Sequence, residues 1–228
     1  MTSDDFSTQI PVTPPPEERL AEAIVERPGP PGTTRLRLVG WLLRIGRLDR
    51  TAYRAVAGTS TPVLDAPLRR LTVAANFSRL WLALGAGLAL VGGKRGRRAA
   101  LTGVAAIGAT SLLVNQPIKS AYRRARPDRQ RLGVPERRWV VMPDSTSFPS
   151  GHSASAAAFT LAVGRQLPAV NVPLRILGGV VAFSRVYVGV HYPGDVLAGW
   201  TCGALIGQAT STLADRISSG KGGAPGTR

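Results

Sequence analysis

The chain holds only two histidines in 228 residues, and each stands in a run suited to handling a charged oxygen. His152 closes Pro149-Ser150-Gly151-His152. His191 opens His191-Tyr192-Pro193-Gly194-Asp195, and Ser184-Arg185 comes just before it, with five residues between Arg185 and His191. A third run, Lys119-x6-Arg126-Pro127, adds two cations. Arginine offers a planar fork of donors to phosphate oxygens and lysine a point charge. Ser150 and Gly151 precede an apolar run that reads as a helix, where a hydroxyl and free backbone N–H groups make an anion site. Glycine there also lets the backbone come close to a ligand. Two histidines permit a division of labour, one attacking phosphorus and one protonating the departing oxygen. His191 is the better nucleophile candidate: Asp195 follows one helical turn on, where it can hold the other ring nitrogen and fix the tautomer. His152 is left as the general acid. The chemistry indicated is phosphoryl transfer, in which catalysis is mostly positioning and electrostatic stabilisation.

Other chemistries fit less well. Two histidines without a carboxylate cluster make a metal site of three or four protein ligands improbable, so no metal or other cofactor is expected. The single cysteine, Cys202, can form no intrachain disulfide, and Gln208 stands where a thiol phosphatase loop needs arginine. The formal charge of +16, from 29 Lys+Arg against 13 Asp+Glu, calls for an anionic partner. Aromatic residues are 6% of the chain and form no stacking platform, which disfavours nucleic acid. The expected partners are a membrane lipid phosphate as substrate and anionic lipid headgroups. Arg123, Arg124, Arg129, Arg131, Arg137 and Arg138 read as a solvated or headgroup-binding surface of the 119–152 loop.

The elements that must position these blocks are helical. Five stretches, Arg79–Gly93, Ala99–Ile118, Ser153–Val163, Pro173–Val190 and Gly194–Leu213, are apolar, mostly uncharged and rich in small residues. Crossing a bilayer takes roughly 17–25 apolar residues, so the second, fourth and fifth are long enough and the others short. Small residues suit close helix packing in lipid. The fold expected is an all-α, membrane-embedded helical bundle of five spans with its active site at one end. A possible sixth helix lies in the amphipathic region 36–77, whose arginines suit a membrane interface better than a lipid-exposed span. Residues 1–35, proline-rich and without an apolar period, read as a disordered tail; 78–214 form the transmembrane phosphatase domain, and 215–228 a flexible basic tail. By the positive-inside rule Lys94–Arg98 (KRGRR) is cytoplasmic. The 119–152 loop and the 191–193 connection then lie together on the extracytoplasmic side.

The ordered pattern Lys-x6-Arg-Pro, Pro-Ser-Gly-His, Ser-Arg-x5-His-x3-Asp resembles the signature of the type-2 phosphatidic-acid phosphatase and vanadium haloperoxidase superfamily, over about residues 49–213. The resemblance implies that Lys119, Arg126, Ser150, Gly151 and Arg185 bind phosphate, that His152 is the acid, and that His191, backed by Asp195, becomes phosphorylated. It also implies six spans in the usual member, the first of which would here be the 36–64 region. The short form with its LDRTAYRAVAG lead-in is similar to bacterial members acting on polyprenyl diphosphates or related envelope lipids. Phosphatidylglycerophosphate and phosphatidic acid are alternative substrates. A vanadate-dependent haloperoxidase, soluble and longer, and a non-catalytic basic membrane protein are remoter readings.

Overall fold

A computed structural model describes residues 16–26, 33–119 and 123–220. Among them are eight α-helices and no strand. α1 (Pro16–Val25) and α2 (Thr33–Ala57) lead in. α3 (Pro62–Ala74) and α4 (Arg79–Val91) are joined by a single 3-10 turn, Asn76–Ser78, and bend by 65°. α5 (Gly93–Leu113) runs into a π-helical turn, Val114–Ile118, that carries Pro117 and delivers Lys119. After the long loop come α6 (Gly151–Gln166), α7 (Pro168–Tyr187) and α8 (Pro193–Gly220).

α6 is the axis of the bundle. Its sequence GHSASAAAFTLAVGRQ has small residues on every face, and 11 of its 16 residues are buried, against α5, α7 and α8. α8 lies parallel to it at backbone contact. A Cβ on Gly199, Gly203 or Gly207 would sit 2.3, 2.0 or 2.6 Å from the carbonyl oxygens of Ser150, Ala154 and Ala158 respectively. That one-per-turn glycine stripe is the small-xxx-small device for close helix approach. The larger core groups gather on the other side of α6, where Trp81 and Phe159 meet with ring centroids 5.5 Å apart beside Val163, Val181 and Ile107.

The long loop is anchored by buried arginines. Arg138 is fully buried; it binds Asp65 of α3 at 2.7 Å and lies 4.2 Å from the centroid of the Tyr187 ring. Arg124 is 4% exposed and ion-paired. Arg129, only half-buried, donates to Val140 O and stacks on Trp139. The reading of these three as headgroup-binding surface is therefore corrected. A buried guanidinium has lost its hydration, so it must find carboxylates, carbonyls or a ring face. Arg123, Arg131 and Arg137 are exposed, and Arg137 also pairs with Asp65.

Three other expectations change. Within the 1–35 tail, residues 16–25 form α1, because PEERLAEAI combines a proline at the first turn with strong helix formers. Ala21 is buried, and Glu18 pairs with Arg50 of α2 at 3.0 Å. The expected basic tail begins as helix: α8 continues to Gly220, held where Asp215 binds Arg98, Arg165 and Gln166. Residues 1–15, 27–32 and 221–228 lie outside the described residues. Finally, by length and apolarity alone one described helix suffices to cross a bilayer, Pro168–Tyr187 (about 30 Å at 1.5 Å per residue). The bent α3–α4 pair makes two if it counts as one span. The count falls below five for physical reasons. α6 is short and spends its apolar residues on packing, α5 carries KRGRR in its first turns, and the hydropathy of α8 is diluted by Thr, Ser and Gly.

The glycine contacts yield a stability test. Gly203→Ala forces a methyl into a main-chain carbonyl and should cost about 1–3 kcal/mol or more. Gly108→Ala, on an open face of α5, has nothing within 4 Å and should be neutral or slightly stabilising. Thermal unfolding of both variants in detergent is the check. Equal midpoints would mean that α6 and α8 are not in backbone contact.

Candidate active site

The site forms where α6 and α8 begin. The two first turns are tied directly, since Ser150 N–H donates to the Asp195 carbonyl at 2.9 Å. Ser150 caps α6: its hydroxyl accepts from Ser153 N–H at 3.4 Å and from Ser153 Oγ at 2.9 Å. Gly151 is the first residue of that helix and His152 the second. His191 sits in the tight turn between α7 and α8, where Gly189 takes a φ of +77° in contact with Arg129 and Tyr53. That left-handed backbone is one glycine adopts without strain.

Asp195 is fully buried. Its Oδ2 accepts from Tyr192 N–H at 2.9 Å and from the Ser147 hydroxyl, and lies 3.5 Å from His191 Nδ1. Ser147 Oγ is itself 3.4 Å from that nitrogen. On the opposite side of the imidazole, Arg126 NH1 stands 3.3 Å from Nε2. A guanidinium can only donate, so Nε2 presents a lone pair and the proton resides on Nδ1, towards the carboxylate. Burial pushes the His191 pKa down to about 4 against the opposing pull of Asp195, with Arg126 and Arg185 lowering it further. The ring is therefore neutral at pH 7 with its lone pair directed towards the cations.

Those cations converge. Arg126 is fixed by Val190 O at 2.8 Å and Ser145 O at 2.8 Å. Lys119 Nζ donates to Ser145 Oγ at 3.3 Å, a hydroxyl that Arg126 also reaches. Burial, then Arg126 and Arg185, bring the Lys119 ammonium down to about 8. Arg126 is lowered to about 10, mainly by burial. Arg185, 2% exposed, donates to Thr72 Oγ1 at 2.6 Å, while its Nε is buried with no hydrogen-bond partner. His152 lies near this group, its Nε2 at 2.8 Å from Asn76 Oδ1 in the break between α3 and α4. Cations crowded together with a buried unsatisfied donor suit the binding of an anion.

All eight sequence-predicted positions thus lie at one end of the bundle. Direct contacts join Arg126 to His191, His191 to Asp195, and Asp195 to Ser150. Among the described residues no group of three or more His, Cys, Asp or Glu side chains could hold a metal ion. Sequence reasoning missed Ser147, Asn76, Arg124 and Asp49. Ser147 had a weak signal in the hydroxyl-rich run before Pro149. Arg124 had one in its alternation with Arg126 along the loop. Asn76 and Asp49 had none, because each meets its partner from more than 70 residues away.

The PAP2 superfamily model matches residues 100–218, more than half of the chain. Decaprenylphosphoryl-5-phosphoribose phosphatase of Mycobacterium tuberculosis is 36% identical over 137 residues, 58% of this chain and 71% of that protein. Phosphatidylglycerophosphatase B of Bacillus subtilis is 36% identical over 108 residues, 42% of this chain and 49% of that one. The fold is similar to that of the transmembrane PAP2-type phosphatidylglycerolphosphate phosphatase from Bacillus subtilis, with a TM-score of 0.60 at 24% identity, over 88% of this chain and 93% of the other. The chain belongs to the PAP2 superfamily, in its bacterial branch of membrane lipid phosphatases.

Proposed function

We propose that this phosphatase hydrolyses the phosphate monoester or diphosphate of a polyprenyl-linked envelope lipid through a phosphohistidine on His191. The observation that carries the reading is the neutral His191 lone pair set among Lys119, Arg126 and Arg185, with the Arg185 Nε still seeking an acceptor. Nε2 attacks phosphorus while these cations and the N–H groups opening α6, with Ser150 and Gly151, hold the non-bridging oxygens. Arg126 and Arg185 supply the forks and Lys119 the point charge, so charge developing in the transition state is met without a metal. Asp195 keeps the Nδ1 proton in place and stabilises the imidazolium character that grows during attack. His152 gives its proton to the departing oxygen. It then takes one from the water that cleaves the P–N bond, returning both histidines to their starting forms.

The polyprenyl assignment is supported by the mycobacterial relative, which is named for a decaprenyl lipid substrate. The glycerophospholipid alternative is favoured by the Bacillus relative and is tested beside it. We also infer that the site faces the extracytoplasmic side. At the opposite end of α6 and α8, Asp215 pairs with Arg165 and with Arg98, the last residue of KRGRR, which suits the cytoplasmic face.

The direct test is a panel of lipid phosphates assayed in detergent with EDTA present, combined with rapid quench on labelled substrate. Highest kcat/KM is expected on polyprenyl phosphates, with acid-labile label on His191 and none in His191→Ala. Label on Ser150 would overturn the mechanism, and a clear preference for phosphatidylglycerophosphate would overturn the substrate.

The leaving group separates the histidines. An alkoxide needs the acid's proton and a nitrophenolate hardly does. His152→Ala should therefore lose about 10²–10⁴-fold on a lipid monoester and much less on p-nitrophenyl phosphate. His191→Ala should fail on both. Equal losses for His152→Ala would make it a phosphate-positioning residue instead.

The titrations set the pH range. His191 must be unprotonated to attack, so kcat/KM should rise through about pH 4. On p-nitrophenyl phosphate, which hardly needs the proton of His152, Lys119 must still be charged, so activity should fall as pH passes about 8. Lys119→Arg, which stays charged, should extend the alkaline side. An alkaline limb unmoved by that change would assign it to another group. Taking variant-to-wild-type ratios on one substrate cancels the titration of the phosphate itself.

A further inference from the structure

The nucleophile's carboxylate is held from behind by residues that none of the three sequence blocks predicts. Arg124 NH1 donates to Asp195 Oδ1 at 2.7 Å, the oxygen that does not face the imidazole. Its NH2 donates to Asp49 Oδ2 on α2, also at 2.7 Å. Asp49 Oδ1 in turn accepts from the backbone N–H of Gly194, in the first turn of α8, at 2.6 Å. Arg124 is 4% exposed, with its guanidinium 4.1 Å from the centroid of the Tyr192 ring. The chain of contacts runs from α2, through the loop arginine, to the carboxylate and the imidazole. It also fixes the backbone turn that carries both. Arg124 lies across the carboxylate from His191 Nε2, so it cannot reach a phosphate being attacked there.

Building on the His191 reading above, we propose that Arg124 and Asp49 are a positioning pair. Together they hold the Asp195 rotamer and divide its charge between the guanidinium and the imidazole, setting the basicity and aim of the nucleophile. A bare buried carboxylate would act on His191 with its full charge. Arg124 withdraws part of that charge, and Asp49 keeps Arg124 from withdrawing too much. The balance is local to His191, which also faces Asp195 from α8, Arg126 and Ser147 from the loop, Arg185 from α7 and His152 from α6, while Lys119 acts on Arg126 and Arg185 beside it. One consequence is that α2, outside the segment matched by the family model, is wired to the reacting nitrogen.

The two members act on His191 with opposite sign, which a merely structural role would not reproduce. Arg124→Gln removes the competing cation, makes the imidazole more basic and should move the acid limb of kcat/KM to higher pH. Asp49→Asn leaves Arg124 uncompensated and should move it to lower pH. Both should lower kcat far more than they raise KM, because phosphate binding is untouched. Groups that orient a histidine from behind are worth about 10–100-fold where measured at metal sites, and a kcat loss of that size is expected for Arg124→Gln. Arg124→Lys keeps the charge but cannot span both carboxylates, so it should restore the acid limb and only part of kcat. The experiment is kcat, KM and the acid limb for all three full-length variants in detergent, with rapid-quench phosphoenzyme formation beside wild type. Should Arg124→Gln fail to fold, Asp49→Asn and Arg124→Lys still decide the outcome. Limbs that shift together, or do not shift, or phosphoenzyme formed at the wild-type rate, would overturn the proposal. Absence of phosphohistidine in wild type would instead overturn the reading of His191 on which it rests.

Discussion

Asp195 is a carboxylate with no access to water, and the rest of the site is arranged around meeting its needs. A buried anion without partners costs several kcal/mol, and one that loses a partner costs about 3–5 kcal/mol. Here the two oxygens are met by a guanidinium, a hydroxyl and a backbone N–H, with the imidazole alongside. Each partner comes from a different place: Arg124 and Ser147 from the two ends of the long loop, Tyr192 from the start of α8. Satisfying the carboxylate therefore also closes the loop over the bundle and leads through Arg124 to α2. The orientation of His191 and the local fold rest on the same few bonds.

Positive charge shows the same economy. Arg138 is buried on Asp65 and Tyr187, and Arg124 on two carboxylates. Lys119, Arg126 and Arg185, by contrast, face one another, held mainly by hydroxyl and carbonyl oxygens. Cations that merely stabilise the structure are neutralised, whereas these three are kept short of counter-charge. Loop arginines that look alike in sequence are sorted in this way by burial.

The helical class and the gathering of the eight motif residues at one end of the bundle were legible in the sequence. Motif spacing binds each histidine to a helix start, and parallel helices bring those starts together. What was illegible depends on contacts between distant segments. Asn76 reaches His152 across a break at which Phe77 and Ser78 both take left-handed backbone, φ 53° and 59°. Neither residue type announces such a conformation. Arg124 and Arg138 looked like surface because charge alone says nothing of burial. The five-span reading took apolar composition as lipid exposure, whereas in α6 it reflects central packing. α1 was hidden by flanking prolines, although its own residues favour helix.

The contact between α6 and α8 is made by glycines on one side and by main-chain carbonyl oxygens on the other. Its requirements are therefore lopsided. Every residue brings a similar carbonyl, and only proline would disturb the helix that presents it, so positions 150, 154 and 158 can drift through many side chains, as far as this seam is concerned, without disturbing it. Positions 199, 203 and 207 cannot drift at all, since a single carbon is too much. Inheritance should weigh on the two helices unequally. Along α8 the glycines act as fixed rungs, and along α6 the freedom left over is available for tuning what lies above the seam, beside the histidine that opens the helix.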